Sequence, residues 1–79
     1  MWKEGTIGIP KPDGGYKAVY YWIKVYEEGG QFGINGGKIS KLMLKLDGGI
    51  IANYDRGWDV EPATEEANLA LCILLNEHN

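Results

Sequence analysis

The chain has 79 residues, 44% hydrophobic and 24% charged, which describes a single globular domain, residues 1–79, near the size where burial only just supports independent folding. A net charge of −3 argues against a general nucleic-acid binder, which needs a basic surface to neutralise phosphates. The lone Cys72 allows no internal disulfide, Met-Trp-Lys-Glu-Gly is not a signal-peptide core, and the apolar run Leu69 to Leu75 is too short to span a bilayer, so a cytoplasmic protein without a membrane segment is expected.

Trp2 to Ile9 reads as a first strand whose Gly5 and Gly8 suggest an edge or a bulge. Pro10 to Gly15 is a turn by composition, since Pro presets φ and Gly supplies left-handed positions. Tyr16 to Tyr26 is the strongest strand, rich in Val, Ile, Tyr and Trp. Its parity puts Val19, Tyr21, Ile23 and Val25 on one face, and Tyr16, Ala18, Tyr20, Trp22, Lys24 and Tyr26 on the other. Neither face is polar. The strand is therefore covered on both sides or leaves an aromatic face exposed.

Gln31 to Ile34 reads as a short extended piece entering a type I′ turn at Asn35-Gly36, where both central residues need positive φ. That turn would set the register of a central hairpin with Lys38 to Leu46. Ser40, Leu42, Leu44 and Leu46 then face the core, and Ile39, Lys41, Met43 and Lys45 face away. Asp47-Gly48-Gly49 is a second tight turn and Ile50 to Tyr54 a last strand. Asp55-Arg56-Gly57-Trp58-Asp59 reads as an irregular corner, with Gly57 giving the backbone freedom and Trp58 buried under the helix.

A helix is expected from about Pro62 to about Glu77, with Ala63, Ala67, Ala70, Leu71, Leu74 and Leu75 toward the core. Leu69, Cys72 and Ile73 interrupt its polar face, which points to a covering partner and to a homodimer. The architecture expected is α+β: an antiparallel sheet of four to five strands with one C-terminal helix packed on a face.

Catalytic chemistry has few footholds. Gly37-Lys38 is followed by Ile39 and preceded by Phe32 where a phosphate loop needs its first Gly, and the glycines lead into a strand rather than a helix. His78 is the only histidine and sits by the C-terminus, so neither Ser40 nor Cys72 has an obvious base, and a zinc set is lacking. Asp55, Asp59 and Glu61 are the one carboxylate group that would suit acid–base work or a divalent ion. A structural turn is the better account of them.

The aromatic row Tyr16, Tyr20, Trp22 and Tyr26 is the most suggestive binding surface. Core packing and protein binding both fit it. Stacking of single-stranded bases comes third, because only Lys24 lies in the row and Glu27 and Glu28 close it.

Gly-Ile-Asn-Gly-Gly-Lys-Ile-Ser-Lys-Leu at 33–42 and Asn-Tyr-Asp-Arg-Gly-Trp-Asp at 53–59, followed by a short helix, resemble a family of small uncharacterised proteins of Gram-positive bacteria, often associated with phages and mobile elements. The resemblance implies that setting and no activity. Together these readings favour a non-enzymatic interaction module with a protein partner and no cofactor. A small carboxylate or metal enzyme and a single-strand binder are the rivals.

Overall fold

The computed structural model describes residues 1–31 and 33–78. Among these, five strands precede one helix: β1 (Trp2–Pro10), β2 (Tyr16–Val25), β3 (Ile39–Leu46), β4 (Gly49–Asp55), β5 (Trp58–Val60) and α1 (Glu65–His78). Every strand pairs antiparallel with the next, so the sheet is a meander in the order β1-β2-β3-β4-β5. The fold is α+β, with the helix on one face of the sheet.

The register explains the core. Ile7 lies opposite Val19, Ile23 opposite Leu42, and Leu44 between Tyr21 and Ala52, so the apolar parity of each strand meets that of its neighbour. Val19, Ile23, Leu42, Leu44 and Ala52 are buried, and α1 adds Ala70 and Leu74 to the same core, with Ala67 buried as well. Gly5 has a packing role rather than a bulge: a Cβ there would sit 2.9 Å from the Tyr21 hydroxyl. Strand β1 runs at the sheet's edge and pairs along β2 without a register shift.

Glycine turns do what their chemistry allows at two places. Gly14 and Gly15 take φ of 95° and 76° in the β1–β2 turn, and Asp47 and Gly48 take 52° and 81° between the paired residues Leu46 and Gly49. The second is the two-residue hairpin geometry with positive φ at both positions.

At Asn35-Gly36 the expectation of a tight central hairpin is corrected. Both residues do adopt positive φ, 55° and 72°, but inside a 3-10 turn at Ile34–Gly36. Pairing between β2 and β3 stops at Val25 and Ile39, so the described residues between them, 26–31 and 33–38, form a folded loop and not a hairpin arm. Gln31, Gly33 and Ile34 are not in a strand; Phe32 lies outside the described residues. The loop wins because it buries Ile34 in the core and knits its own backbone, from Gly30 N–H to the Gly37 carbonyl and from Gly33 N–H to the Gly30 carbonyl. A Cβ at Gly33 would overlap the Gly37 carbonyl, so only glycine fits there.

A register shift between Lys24 and Val25 changes the start of β3. Ile39 faces Val25 and is buried, and Ser40 is buried beside it, so Ile39 does not face away as parity suggested. At the other end the stretch 55–59 is a hairpin turn within the sheet, leading into β5, instead of a corner to the helix. Arg56, at φ 61°, makes the left-handed step assigned to Gly57, and its N–H reaches the Ser40 carbonyl at 3.5 Å. Trp58 sits edge-on to Tyr54 at 5.0 Å and is half-buried.

The helix starts at Glu65, later than Pro62, because Thr64 caps it: its Oγ1 accepts the Ala67 N–H at 3.1 Å. Ala63 falls before that cap and is exposed, outside the core it was assigned to. His78 closes the helix and is packed and largely covered.

Candidate functional site

Because α1 covers one face only, the opposite face of the sheet has no element of the described chain over it. Register places its side chains: Trp2, Glu4 and Thr6 from β1 lie opposite Lys24, Trp22 and Tyr20 from β2. Tyr20, Trp22 and Lys24 in turn lie opposite Lys45, Met43 and Lys41 from β3, and Met43 opposite Asn53 from β4.

At the centre Trp2 stacks on Trp22, with ring centroids 4.2 Å apart and planes 18° from parallel. The pair is diagonal, since Trp2 is register partner to Lys24. The Lys24 ammonium lies 5.2 Å from the centroids of both Trp2 and Tyr26, and that of Lys41 lies 6.0 Å from Trp2. Tyr20 donates its hydroxyl to Glu4 Oε2 at 3.1 Å. A shallow depression of about 510 Å³ runs between Glu4, Tyr20, Trp22, Met43, Lys45 and Asn53.

The four aromatic residues singled out from sequence are distributed over this face. Tyr20 and Trp22 belong to its centre. Tyr16 is 72% exposed beside the β1–β2 turn, its ring against Gly8. Tyr26 is past the end of β2, 50% exposed, next to Lys24. Trp2 and Met43 were not foreseen as members. Trp2 lies one strand away, so only the β1–β2 register discloses it, whereas Met43 was already on the non-core parity of β3.

Electrostatics separate the tyrosines. The side-chain interaction with the Lys24 ammonium, and then its charge, hold the Tyr26 phenol below its ordinary pKa; partial desolvation opposes them. Tyr20 is pushed up by desolvation first and by Glu4 next.

The carboxylates do not converge. Asp55 pairs with Lys41 at 3.7 Å and Asp59 accepts from Asn53 Nδ2 at 3.4 Å, while Glu61 is exposed beyond β5. Among the described residues no three His, Cys, Asp or Glu side chains are grouped to hold a metal ion. Among the described residues no helix is long and apolar enough to cross a membrane. On α1 the expected interface trio divides: Leu69 and Cys72 are exposed, but Ile73 is half-buried and packs against the core.

The family described as domain of unknown function DUF7678 matches residues 1–79, the whole length of the chain. The chain belongs to that family. No curated protein and no solved structure matches it. Membership in DUF7678 extends over the sheet, its open face and the helix alike, and its description assigns them no activity.

Proposed function

We propose that the chain is a non-enzymatic interaction module whose contact surface is the open face of the sheet. The observation that carries this is the Trp2–Trp22 stack, set with Tyr20 and Met43 on a face that the helix does not cover. Stacked indoles offer large apolar area at little entropic cost, the usual make-up of an interface anchor. The occupant that fits is a protein partner bringing an apolar anchor and acidic neighbours to Lys24 and Lys45. A nucleic-acid strand fits less well. Glu4, Asp55 and Asp59 are interleaved with the lysines, and each Trp already spends one ring face on the other. A bacterial, phage-associated setting for this partnership rests on the resemblance of residues 33–42 and 53–59. A homodimer through Leu69 and Cys72 is a separate contact on the opposite side.

The test is crosslinking capture from the native host with wild-type protein and with Trp22→Ala and Met43→Glu, each checked for folding by circular dichroism. One partner crosslinked at the open face and lost in both folded variants supports the reading. Capture unchanged in both variants contradicts it, and so does tight, steeply salt-dependent oligonucleotide binding, which would instead favour the single-strand reading.

A further inference from the structure

Where the β2–β3 bulge meets the β4–β5 turn there is a recess of about 150 Å³, lined by Lys24, Tyr26, Ser40, Lys41 and Arg56. We propose that it binds a single phosphoryl oxyanion. The lining is three cations and two hydroxyls, with no carboxylate among the described residues that form it. At about 30 Å³ per water the space equals roughly five waters, enough for one tetrahedral ion with some of its hydration.

Ser40 is the second observation. It is 6% exposed, and its Oγ has no hydrogen-bond partner among the described residues. A buried hydroxyl left in that state is unfavourable and asks for an acceptor. The nearest candidate is the Tyr26 phenol, whose ionised form Ser40 favours, but the two are not within hydrogen-bond geometry, so the phenol competes with an incoming anion for the Ser40 hydroxyl without satisfying it. The register shift between Lys24 and Val25 leaves Ser40, between Ile39 and Lys41, with no paired residue in β2, and the Arg56 N–H on the Ser40 carbonyl holds the two walls together.

The cations are positioned before any ion arrives. Lys24 is held between the Trp2 and Tyr26 rings, Lys41 is tethered by Asp55, and Arg56 lies close enough to favour the Tyr26 phenolate. Positive charge from three side chains suits a phosphoryl dianion better than a carboxylate, for which one guanidinium would suffice. The Asp55 carboxylate 3.7 Å from Lys41 competes with it and limits the affinity. A free phosphate and a phosphate monoester share this chemistry. The inference does not depend on a protein docking to the open face.

The experiment is a titration of ¹⁵N-labelled protein with inorganic phosphate and, separately, with phenyl phosphate, each against sodium chloride at matched ionic strength. Amide shifts should concentrate at Tyr26, Ser40, Lys41 and Arg56. Ser40→Ala should keep its melting temperature and weaken binding about tenfold, the loss of one hydrogen bond to a charged acceptor. Arg56→Gln should weaken it at least as much. Saturation by phosphate alone assigns the site to the free ion, and tighter binding of the ester assigns it to an attached group; either sustains the proposal. No localised shifts with either probe would overturn it. Binding untouched by both substitutions would overturn it too, since that is diffuse attraction to lysines.

Discussion

Single side chains carry several consequences that can be measured. Tyr26 and Tyr20 lie on the same sheet face but titrate in opposite directions, because one neighbours Lys24 and the other Glu4. Absorbance titration should therefore show Tyr26 ionising before Tyr20, and Lys24→Met should delay Tyr26. His78 is held below its ordinary value of 6.5, by burial first and by Lys3 next, with Glu77 opposing. A depressed histidine takes up protons less readily folded than unfolded. Stability should thus be full above that ordinary value and fall as pH drops through the folded one. Denaturant melts between neutral and mildly acidic pH check this, and His78→Gln should flatten the change in that window. At the cap, Thr64→Ala removes the acceptor of the Ala67 N–H and should lower stability by about 1 kcal/mol.

Among the elements, the loop between β2 and β3 is where local chemistry and tertiary packing part company. The Asn35-Gly36 pair has the φ values of a hairpin turn, yet no strand enters it, because Ile34 must reach the core. Nothing in the spacing of Gln31 to Lys38 announces that burial. Gly33→Ala should destabilise the chain well beyond the intrinsic Gly-to-Ala difference, since its Cβ would overlap the Gly37 carbonyl; a chemical melt of the variant decides. Asp47-Gly48, by contrast, sits between two strands that both have core positions to fill, so there the same signal was enough. Strand parity likewise disclosed most of the sheet, putting Tyr20 and Trp22 together on one face of β2 and Met43 off the core face of β3, though not that the three share a face. It failed at Ile39, where a bulge shifts the register, and at Trp2, whose place depends on a pairing that parity within one strand does not reveal. The fifth strand escaped because a three-residue segment, Trp58–Val60, is too short to show alternation. The Ser40 recess was illegible for the same reason as Ile39.

For the molecule as a whole, one helix cannot cover both faces of a five-stranded sheet, so the chain packs a core on one side and presents aromatic rings on the other. If self-association through Leu69 and Cys72 also occurs, light scattering should give a dimer mass that Leu69→Glu returns to monomer without unfolding it. A wild-type monomer at high concentration would remove that contact and leave the open face unaffected. The central claim is that Trp22 serves the surface and not the core. It is tested most directly by thermal melting of Trp22→Ala beside Leu44→Ala, with partner capture measured on the same samples. Leu44 is fully buried, and its loss should cost about 2–5 kcal/mol. The account predicts a clearly smaller loss for Trp22→Ala together with abolished capture. A loss as large as that of a buried aromatic, about 3–5 kcal/mol, or capture that survives the substitution, would contradict it.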